Sequence, residues 1–224
     1  LIVMPIPLKF SEYPELLPRS SPSLPDQRVF HKFREMLSRS DHLILFDAYP
    51  RMMALKTKLN VFNLTDFHWS EPAAREIGDQ LLVRIAHESG FANHVSAWAR
   101  DYEVREFSGG QALFMPLLKT PSERATFPKL GPPYPHDGKA PPIEWAVHAS
   151  PTAEYTPLPP TLFIGDSFVW ALHNTGFTTE FSSFFFSHIS NDLSKTLCHN
   201  LPANTRFVIL ELLENNILHD YSPQ

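Results

Sequence analysis

Residues 161–170 read Thr-Leu-Phe-Ile-Gly-Asp-Ser-Phe-Val-Trp, an apolar run that leads directly into Gly165-Asp166-Ser167. The apolar residues predict a stiff, buried strand, and Gly165 permits a tight turn that a side chain would hinder. Such a junction presents the Ser167 hydroxyl at the end of a sheet, where a base can activate it. Gly-Asp-Ser also occurs in ordinary turns, so this stretch alone leaves the role of the serine open.

A second stretch, residues 65–69, reads Thr-Asp-Phe-His-Trp and supplies what a serine nucleophile requires. A serine hydroxyl needs an adjacent base at neutral pH, and the imidazole of His68 is suited to that role. Asp66 stands two residues earlier, on the same side of an extended segment, where its carboxylate can fix the tautomer of His68. The alternative is a capping aspartate beside a half-buried histidine. The two stretches together favour a triad of Ser167, His68 and Asp66.

The composition fits a globular protein without a cofactor. The 224 residues are 43% hydrophobic, which is enough for a core, and suit one domain. The net charge is −5 without a basic block, which argues against nucleic acid as the main partner. No apolar run approaches the roughly 18–20 residues of a transmembrane helix. No His/Cys cluster or phosphate-binding glycine loop is present either, so we expect neither a metal nor a cofactor.

Apolar runs alternate with amphipathic stretches on both sides of a proline-rich, irregular insertion at about residues 90–160. This alternation predicts an α/β fold, a mostly parallel sheet flanked by helices in three layers, in a single domain over residues 1–224. In such sheets ligands bind beyond the carboxyl ends of the strands. Within the insertion, residues 104–107 and 112–117 flank two glycines and predict a hairpin. The expected sheet strands are residues 1–7, 42–46, 162–164, 181–187 and 207–210.

The residues Asp66, His68, Trp69 and Ser167 resemble the motifs of the SGNH-hydrolase-like domains of the alginate O-acetyltransferase family. In that family an Asp-x-His-Trp motif precedes a Gly-x-Ser motif. The resemblance extends over residues 1–90 and 160–218, and it implies a flavodoxin-like SGNH fold. In ordinary SGNH esterases the serine strand comes first, so the chain is similar to a circular permutation. The segment ahead of Asp66 also looks like that of the family, through Ile6, Pro7, Lys9, Tyr13, Pro14, Glu15 and Pro18.

Comparison with SGNH esterases also suggests donors for an oxyanion hole. The first is the N–H of Ser167 itself. By position, the Asn215 side chain falls where these esterases have an asparagine, but the acetyltransferase family has a Glu-Arg pair there, so a structural role for Asn215 is equally open. The glycine that these esterases have after their second strand is absent here. A backbone N–H of Ser190 or Asn191 is the expected substitute.

Four aromatic residues are candidates for substrate binding. Trp69 adjoins the proposed base, and Trp170 follows the serine turn, where core packing is the alternative to a sugar or acyl pocket. Tyr134 and Trp145 belong to the insertion, and long loops of this kind often form lids or binding surfaces. His173 and His188 are expected to be satisfied surface or core groups rather than catalytic ones.

The resemblance implies an O-acetyltransferase that acts on an exported bacterial polysaccharide through an acetyl-serine intermediate. The implied partners are the polysaccharide acceptor, an acetyl donor and a membrane acyltransferase. The implied location is periplasmic or otherwise exported. Because the first residue is Leu1, we expect a fragment or processed product in which a signal or anchor is not visible. The alternatives are a carbohydrate acetylesterase and a non-catalytic polysaccharide-binding or assembly subunit.

Overall fold

A computed structural model describes most of the chain. The described residues are 1–16, 27–91, 101–113, 120–129, 136–137, 143–149, 151, 155–191, 197 and 201–220. Among them, no helix combines the length and the apolar character that crossing a membrane requires.

The centre of the molecule is a seven-stranded sheet in the order β2-β1-β9-β7-β8-β6-β5. The first five strands in this order are parallel, and β6 and β5 from the insertion add an antiparallel edge. A separate hairpin pairs β3 with β4. The strands are β1 (Ile2–Ile6), β2 (Ile44–Leu45), β3 (Tyr102–Phe107), β4 (Glu123–Pro128), β5 (His136–Asp137), β6 (Trp145–His148), β7 (Thr161–Gly165), β8 (Ser183–His188) and β9 (Phe207–Leu213).

Strand order shows how the two halves of the chain combine. When β7 is counted as the first strand, β8-β7-β9-β1-β2 becomes 2-1-3-4-5, which is the flavodoxin-like order. The C-terminal half therefore supplies the first three strands and the N-terminal half the last two. The predicted α/β fold and its permuted order are confirmed.

Helices cover both faces of the sheet. Alternate residues of β1 (Ile2, Met4 and Ile6) share one core cluster with α3, α4 and α6. Helix α2 packs against α7, and its Phe30 is buried outside that cluster. The helices are α1 (Lys9–Glu12), α2 (Gln27–Ser38), α3 (Ala48–Leu55), α4 (Glu71–Ser89), α5 (Gly110–Leu113), α6 (Val169–Asn174) and α7 (Glu214–Asp220), with short 3-10 turns at Pro14–Leu16 and Phe177–Glu180.

The hairpin predicted between residues 104–107 and 112–117 is wrong. Strand β3 pairs with β4 instead, and α5 occupies Gly110–Leu113. The reason is a contact with the distant Asp66 region, because the N–H of Gly109 donates to Thr65 Oγ1 at 2.9 Å and that of Ala112 to Thr65 O at 3.1 Å. These bonds hold Gly109 and Gly110 against the turn that precedes Asp66. Residues 114–117 lie outside the described residues.

Candidate active site

The Ser167 turn follows β7 and is held by hydrogen bonds of its own. Asp166 Oδ1 accepts from the N–H of Phe168 at 2.9 Å, and Trp170 N–H donates to Ser167 O at 3.2 Å at the start of α6. Gly165 is required here because a Cβ would clash with Glu211 Oε2 and would come 2.7 Å from the Phe163 ring. The sequence thus places the serine hydroxyl at the carboxyl end of a central strand.

The structure brings Ser167, His68 and Asp66 together. His68 Nε2 lies 2.7 Å from Ser167 Oγ, and His68 Nδ1 lies 2.9 Å from Asp66 Oδ1. Both distances are within hydrogen-bonding range. The three side chains form a continuous chain from carboxylate to imidazole to hydroxyl.

The charge of Asp66 determines where the protons lie. Burial raises the pKa of Asp66, but hydrogen bonds from His68 and Phe67 and the charge of His68 outweigh it and hold the pKa below its usual range. An ionised carboxylate only accepts hydrogen bonds, so we assign the proton of neutral His68 to Nδ1. His68 Nε2 is then the acceptor for the hydroxyl proton of Ser167.

Aromatic rings hold the imidazole in place. The His68 ring lies 4.0 Å from the Phe67 ring and 5.1 Å from the Phe168 ring, measured between centroids. Trp69 Nε1 donates to Phe168 O at 3.0 Å, which ties the histidine segment to the serine turn. Trp69 is only 1% exposed, so its predicted role in substrate binding is replaced by a place in the core.

The insertion supports the turn that carries Asp66. Glu123 on β4 accepts hydrogen bonds from Leu64 N at 2.8 Å, from Thr65 N at 2.6 Å and from Thr65 Oγ1 at 2.7 Å. Gly109 packs so closely that a Cβ there would clash with Asp66 Cβ and come 2.6 Å from Thr65 O. Sequence reasoning missed both residues because no local pattern connects them with Asp66.

A buried acid, Glu211, accepts a hydrogen bond from the serine turn. Glu211 on β9 is 1% exposed, and its Oε2 accepts from the N–H of Asp166 at 3.1 Å. Burial and the nearby charge of Asp166 raise the pKa of Glu211 well above its usual range. Sequence reasoning missed this residue as well, although an acid within the apolar run of residues 207–213 was a visible signal.

Two of the predicted oxyanion donors are the Ser167 N–H and the Asn215 side chain. The turn uses the N–H groups of Phe168, Val169 and Trp170 for its described hydrogen bonds, but not that of Ser167. Asn215 is exposed in the first turn of α7.

The backbone donors predicted after β8 are already used within their own turn. The Ser190 N–H donates to His188 Nδ1 at 3.1 Å and the Asn191 N–H to His188 O at 3.0 Å. As donors to an oxyanion, these two N–H groups would have to share or give up those bonds.

Two of the remaining aromatic candidates, Trp145 and Trp170, pack in or against the core. Trp145 is 5% exposed and stacks on Phe184 and Phe186 in the core, so its predicted role in substrate binding is corrected to packing. Trp170 is half-buried, with its ring 5.2 Å from that of Trp145. Tyr134 lies outside the described residues. In the part of the chain that the structure describes, no group of three or more His, Cys, Asp or Glu residues could hold a metal.

Solved structures share this fold. The O-acetyltransferase domain of Pseudomonas putida AlgJ is 17% identical, with a TM-score of 0.55 over 100% of this chain and 80% of that chain. PatB1 of Bacillus cereus is 12% identical, with a TM-score of 0.61 over 97% and 83%. A DHHW family protein of Eubacterium siraeum is 11% identical, with a TM-score of 0.59 over 97% and 78%.

At these identities the likeness establishes the fold. No family model and no curated protein sequence matches the chain. The predicted resemblance to SGNH-like acetyltransferase domains is therefore confirmed at the level of the fold.

Proposed function

We propose that the protein is an O-acetyltransferase that transfers acetyl groups to a polysaccharide through an acetyl-Ser167 intermediate. The observation that carries this proposal is the 2.7 Å contact between His68 Nε2 and Ser167 Oγ, with Asp66 behind the imidazole. The shared fold with an O-acetyltransferase domain supports the choice of acyl transfer to oxygen. PatB1 has also been obtained with a sulfonyl adduct, the kind of product that sulfonylating reagents give with an activated nucleophile.

In the first half-reaction, Ser167 Oγ attacks the carbonyl carbon of the acetyl donor. His68 Nε2 takes the hydroxyl proton as the new bond forms, and Asp66 stabilises the resulting imidazolium. The imidazolium then gives this proton to the leaving group as its bond to the acetyl carbon breaks. The product is acetyl-Ser167, with the base restored.

In the second half-reaction, a sugar hydroxyl attacks the acetyl-serine. His68 Nε2 takes the proton of this hydroxyl and returns it to Ser167 Oγ when the serine leaves, so that the acetyl group ends on the sugar. In both tetrahedral intermediates we assign the Ser167 N–H as one oxyanion donor and the Asn215 side chain as a second. Each such donor is worth about 3–4 kcal/mol of barrier.

A carbohydrate acetylesterase is the second candidate, and one observation favours it. The His68 side chain is 26% exposed, so water can reach the base and take the place of the sugar hydroxyl. An exported location, a membrane partner that supplies the acetyl group and a single domain over residues 1–224 remain parts of the proposal. A non-catalytic polysaccharide-binding subunit is the outcome if the serine proves inert.

The test compares the wild type with Ser167→Ala on a chromogenic acetyl ester, with and without oligosaccharide acceptors. Ser38→Ala is the matched control, because Ser38 lies on the exposed surface of α2. We expect Ser167-dependent turnover, an acetyl adduct on Ser167 by mass spectrometry, and acetylated oligosaccharide. Acetate as the sole product would establish the esterase. The absence of both adduct and Ser167-dependent turnover would refute catalysis.

A further inference from the structure

The side chain of Lys9 reaches from the start of α1 to the turn that ends at Asp66. Its Nζ donates to three backbone carbonyls of that turn, Asn63 O at 2.7 Å, Leu64 O at 2.8 Å and Asp66 O at 2.8 Å. A longer bond of 3.3 Å joins it to Gln111 Oε1 in α5. The lysine thus contacts the backbone of the residue that orients the proposed base.

The number of acceptors at short distance fits an ammonium group. Protonated lysine has three N–H donors and no acceptor, and three carbonyl oxygens lie within 2.8 Å. A neutral amine would turn its lone pair toward one of these oxygens. The pKa of Lys9 lies below its usual range, because burial lowers it by more than the charges of Glu123 and Asp66 raise it.

The N–H groups of the same turn donate to the carboxylate of Glu123. That carboxylate accepts from the N–H groups of Leu64 and Thr65, while Lys9 donates to the carbonyls of Asn63, Leu64 and Asp66. A cation and an anion from distant parts of the chain therefore bind the carbonyl oxygens and the N–H groups of one short turn. Without the Lys9 ammonium, the three carbonyl oxygens would lose their shared hydrogen-bond donor.

A displacement of this turn would reach the reacting atoms. The Asp66 carbonyl that accepts from Lys9 belongs to the residue whose Oδ1 holds His68 Nδ1. His68 Nε2 in turn contacts Ser167 Oγ. A misplacement of about 1 Å in such a constellation can lower a rate about 100-fold.

We propose that Lys9 is a positioning residue, whose ammonium holds the turn of residues 63–66 so that Asp66 and His68 stay aligned with Ser167. The inference rests on the proposed triad. It assigns Lys9 no contact with substrate. Its effect must therefore appear in the reactivity of Ser167 rather than in substrate affinity.

The experiment measures how fast phenylmethylsulfonyl fluoride labels Ser167, by mass spectrometry, together with kcat and KM for the acetyl ester. We expect Lys9→Ala and Lys9→Met to lower the labelling rate and kcat by about 10–100-fold, with KM unchanged within about twofold. Propylammonium supplies the atoms that Lys9→Ala removes and should restore the rate at least about fivefold. Propanol lacks the charge and should restore nothing.

Lys56→Met is the matched control. Lys56 is also half-buried and donates to a backbone carbonyl, that of Glu12, but none of its described hydrogen bonds reaches residues 63–66. We expect its labelling rate to stay within about twofold of the wild type. Circular dichroism establishes that each variant is folded.

Wild-type labelling rates in both folded Lys9 variants would overturn the inference. A loss of labelling that follows loss of the folded state in both variants would overturn it as well, because Lys9 would then serve folding alone. A wild type that is not labelled at Ser167 would instead refute the triad, and the inference would fall with it. The labelling of the wild type thus separates the two failures.

Discussion

One carboxylate oxygen, Asp66 Oδ1, accepts three hydrogen bonds in the candidate site. The donors are His68 Nδ1 at 2.9 Å, Phe67 N at 2.7 Å and His68 N at 3.3 Å. The two backbone donors fix the position of this oxygen independently of the imidazole. The carboxylate therefore both orients His68 and supplies the charge that a transient imidazolium needs.

These two contributions can be separated with Asp66→Asn. The backbone N–H groups of Phe67 and His68 should keep the amide oxygen at the Oδ1 position, so the tautomer of His68 is retained while the anionic charge is lost. We expect kcat for the acetyl ester and the labelling rate of Ser167 to fall by about 10²–10⁴-fold, with the upper limit set by the loss of about 10⁴-fold that a triad Asp→Asn substitution causes when the tautomer also changes. Asp41→Asn, at an exposed position, is the control. Activity within tenfold of the wild type would contradict a catalytic triad.

At the scale of the element, β9 carries a single acid within an otherwise apolar strand, Phe207–Leu213. Glu211 Oε2 accepts from the N–H of Asp166, and Oε1 has no hydrogen-bond partner among the described residues. Burial raises its pKa well above the usual range, which favours the protonated, uncharged form of the side chain. Its function in the fold is to provide an acceptor for the serine turn.

The Asp166 N–H needs an acceptor at this position, and an uncharged side chain can provide it. Glu211→Gln retains a carbonyl oxygen for the Asp166 N–H and should unfold at a urea midpoint close to that of the wild type. Glu211→Leu leaves this buried N–H unpaired, which should lower the free energy of unfolding by about 1–3 kcal/mol and slow the labelling of Ser167. Equal stability of the Leu and Gln variants would show that the hydrogen bond contributes nothing.

The elements that the sequence predicts well are the parallel strands. Strands β1 and β7 are buried on both faces, so they appear as continuous apolar runs. Strand β9 is buried on one face and half-buried on the other, and its apolar run is interrupted by Glu211 alone. The predicted strand at residues 42–46 shortens to Ile44–Leu45. The β3–β4 hairpin was not predictable in the same way, because residues 103–106 are exposed and have no apolar pattern. Its pairing depends instead on contacts made through tertiary structure.

The same distinction applies to the site. The sequence could predict Ser167, His68 and Asp66 because each lies in a short motif, Gly-Asp-Ser or Asp-x-His. The spacing of residues within each motif suits its chemical role. Lys9 and Glu123 support the Asp66 turn through bonds between residues far apart in the chain, and no window of sequence contains both partners. Trp69 and Trp145 were expected at a substrate surface, and the sequence could not indicate that the core covers them.

At the scale of the whole molecule, the permuted order divides the candidate site between the two ends of the chain. The N-terminal half supplies Asp66 and His68, and the C-terminal half supplies Ser167. The two halves join through the parallel pairing of β1 with β9 and through the bond from Trp69 Nε1 to Phe168 O. Assembly of the site thus depends on long-range pairing across the centre of the sheet.

Buried acids should make the stability of the whole molecule depend on pH. Burial raises the pKa of Glu12 to about 7, with Lys56 lowering it and Glu15 raising it, and burial also raises the pKa values of Glu71, Asp166, Glu211 and Glu214. An unfolded carboxyl has its ordinary value of about 4.3, so the folded state binds more protons above that pH. The free energy of unfolding must therefore fall as the pH rises toward 7.

Asp66 acts in the opposite sense, because its pKa is lowered on folding, but its effect lies below about pH 4. We therefore expect a higher Tm at pH 5 than at pH 8, measured by differential scanning calorimetry. For Glu12 alone the change across this interval is about 2.5 kcal/mol, so Glu12→Gln should reduce the difference between the two Tm values. Glu35→Gln, at an exposed position of α2, should leave the difference unchanged. The same pH dependence in Glu12→Gln and the wild type would show that Glu12 ionises in the folded protein as freely as it does in the unfolded chain.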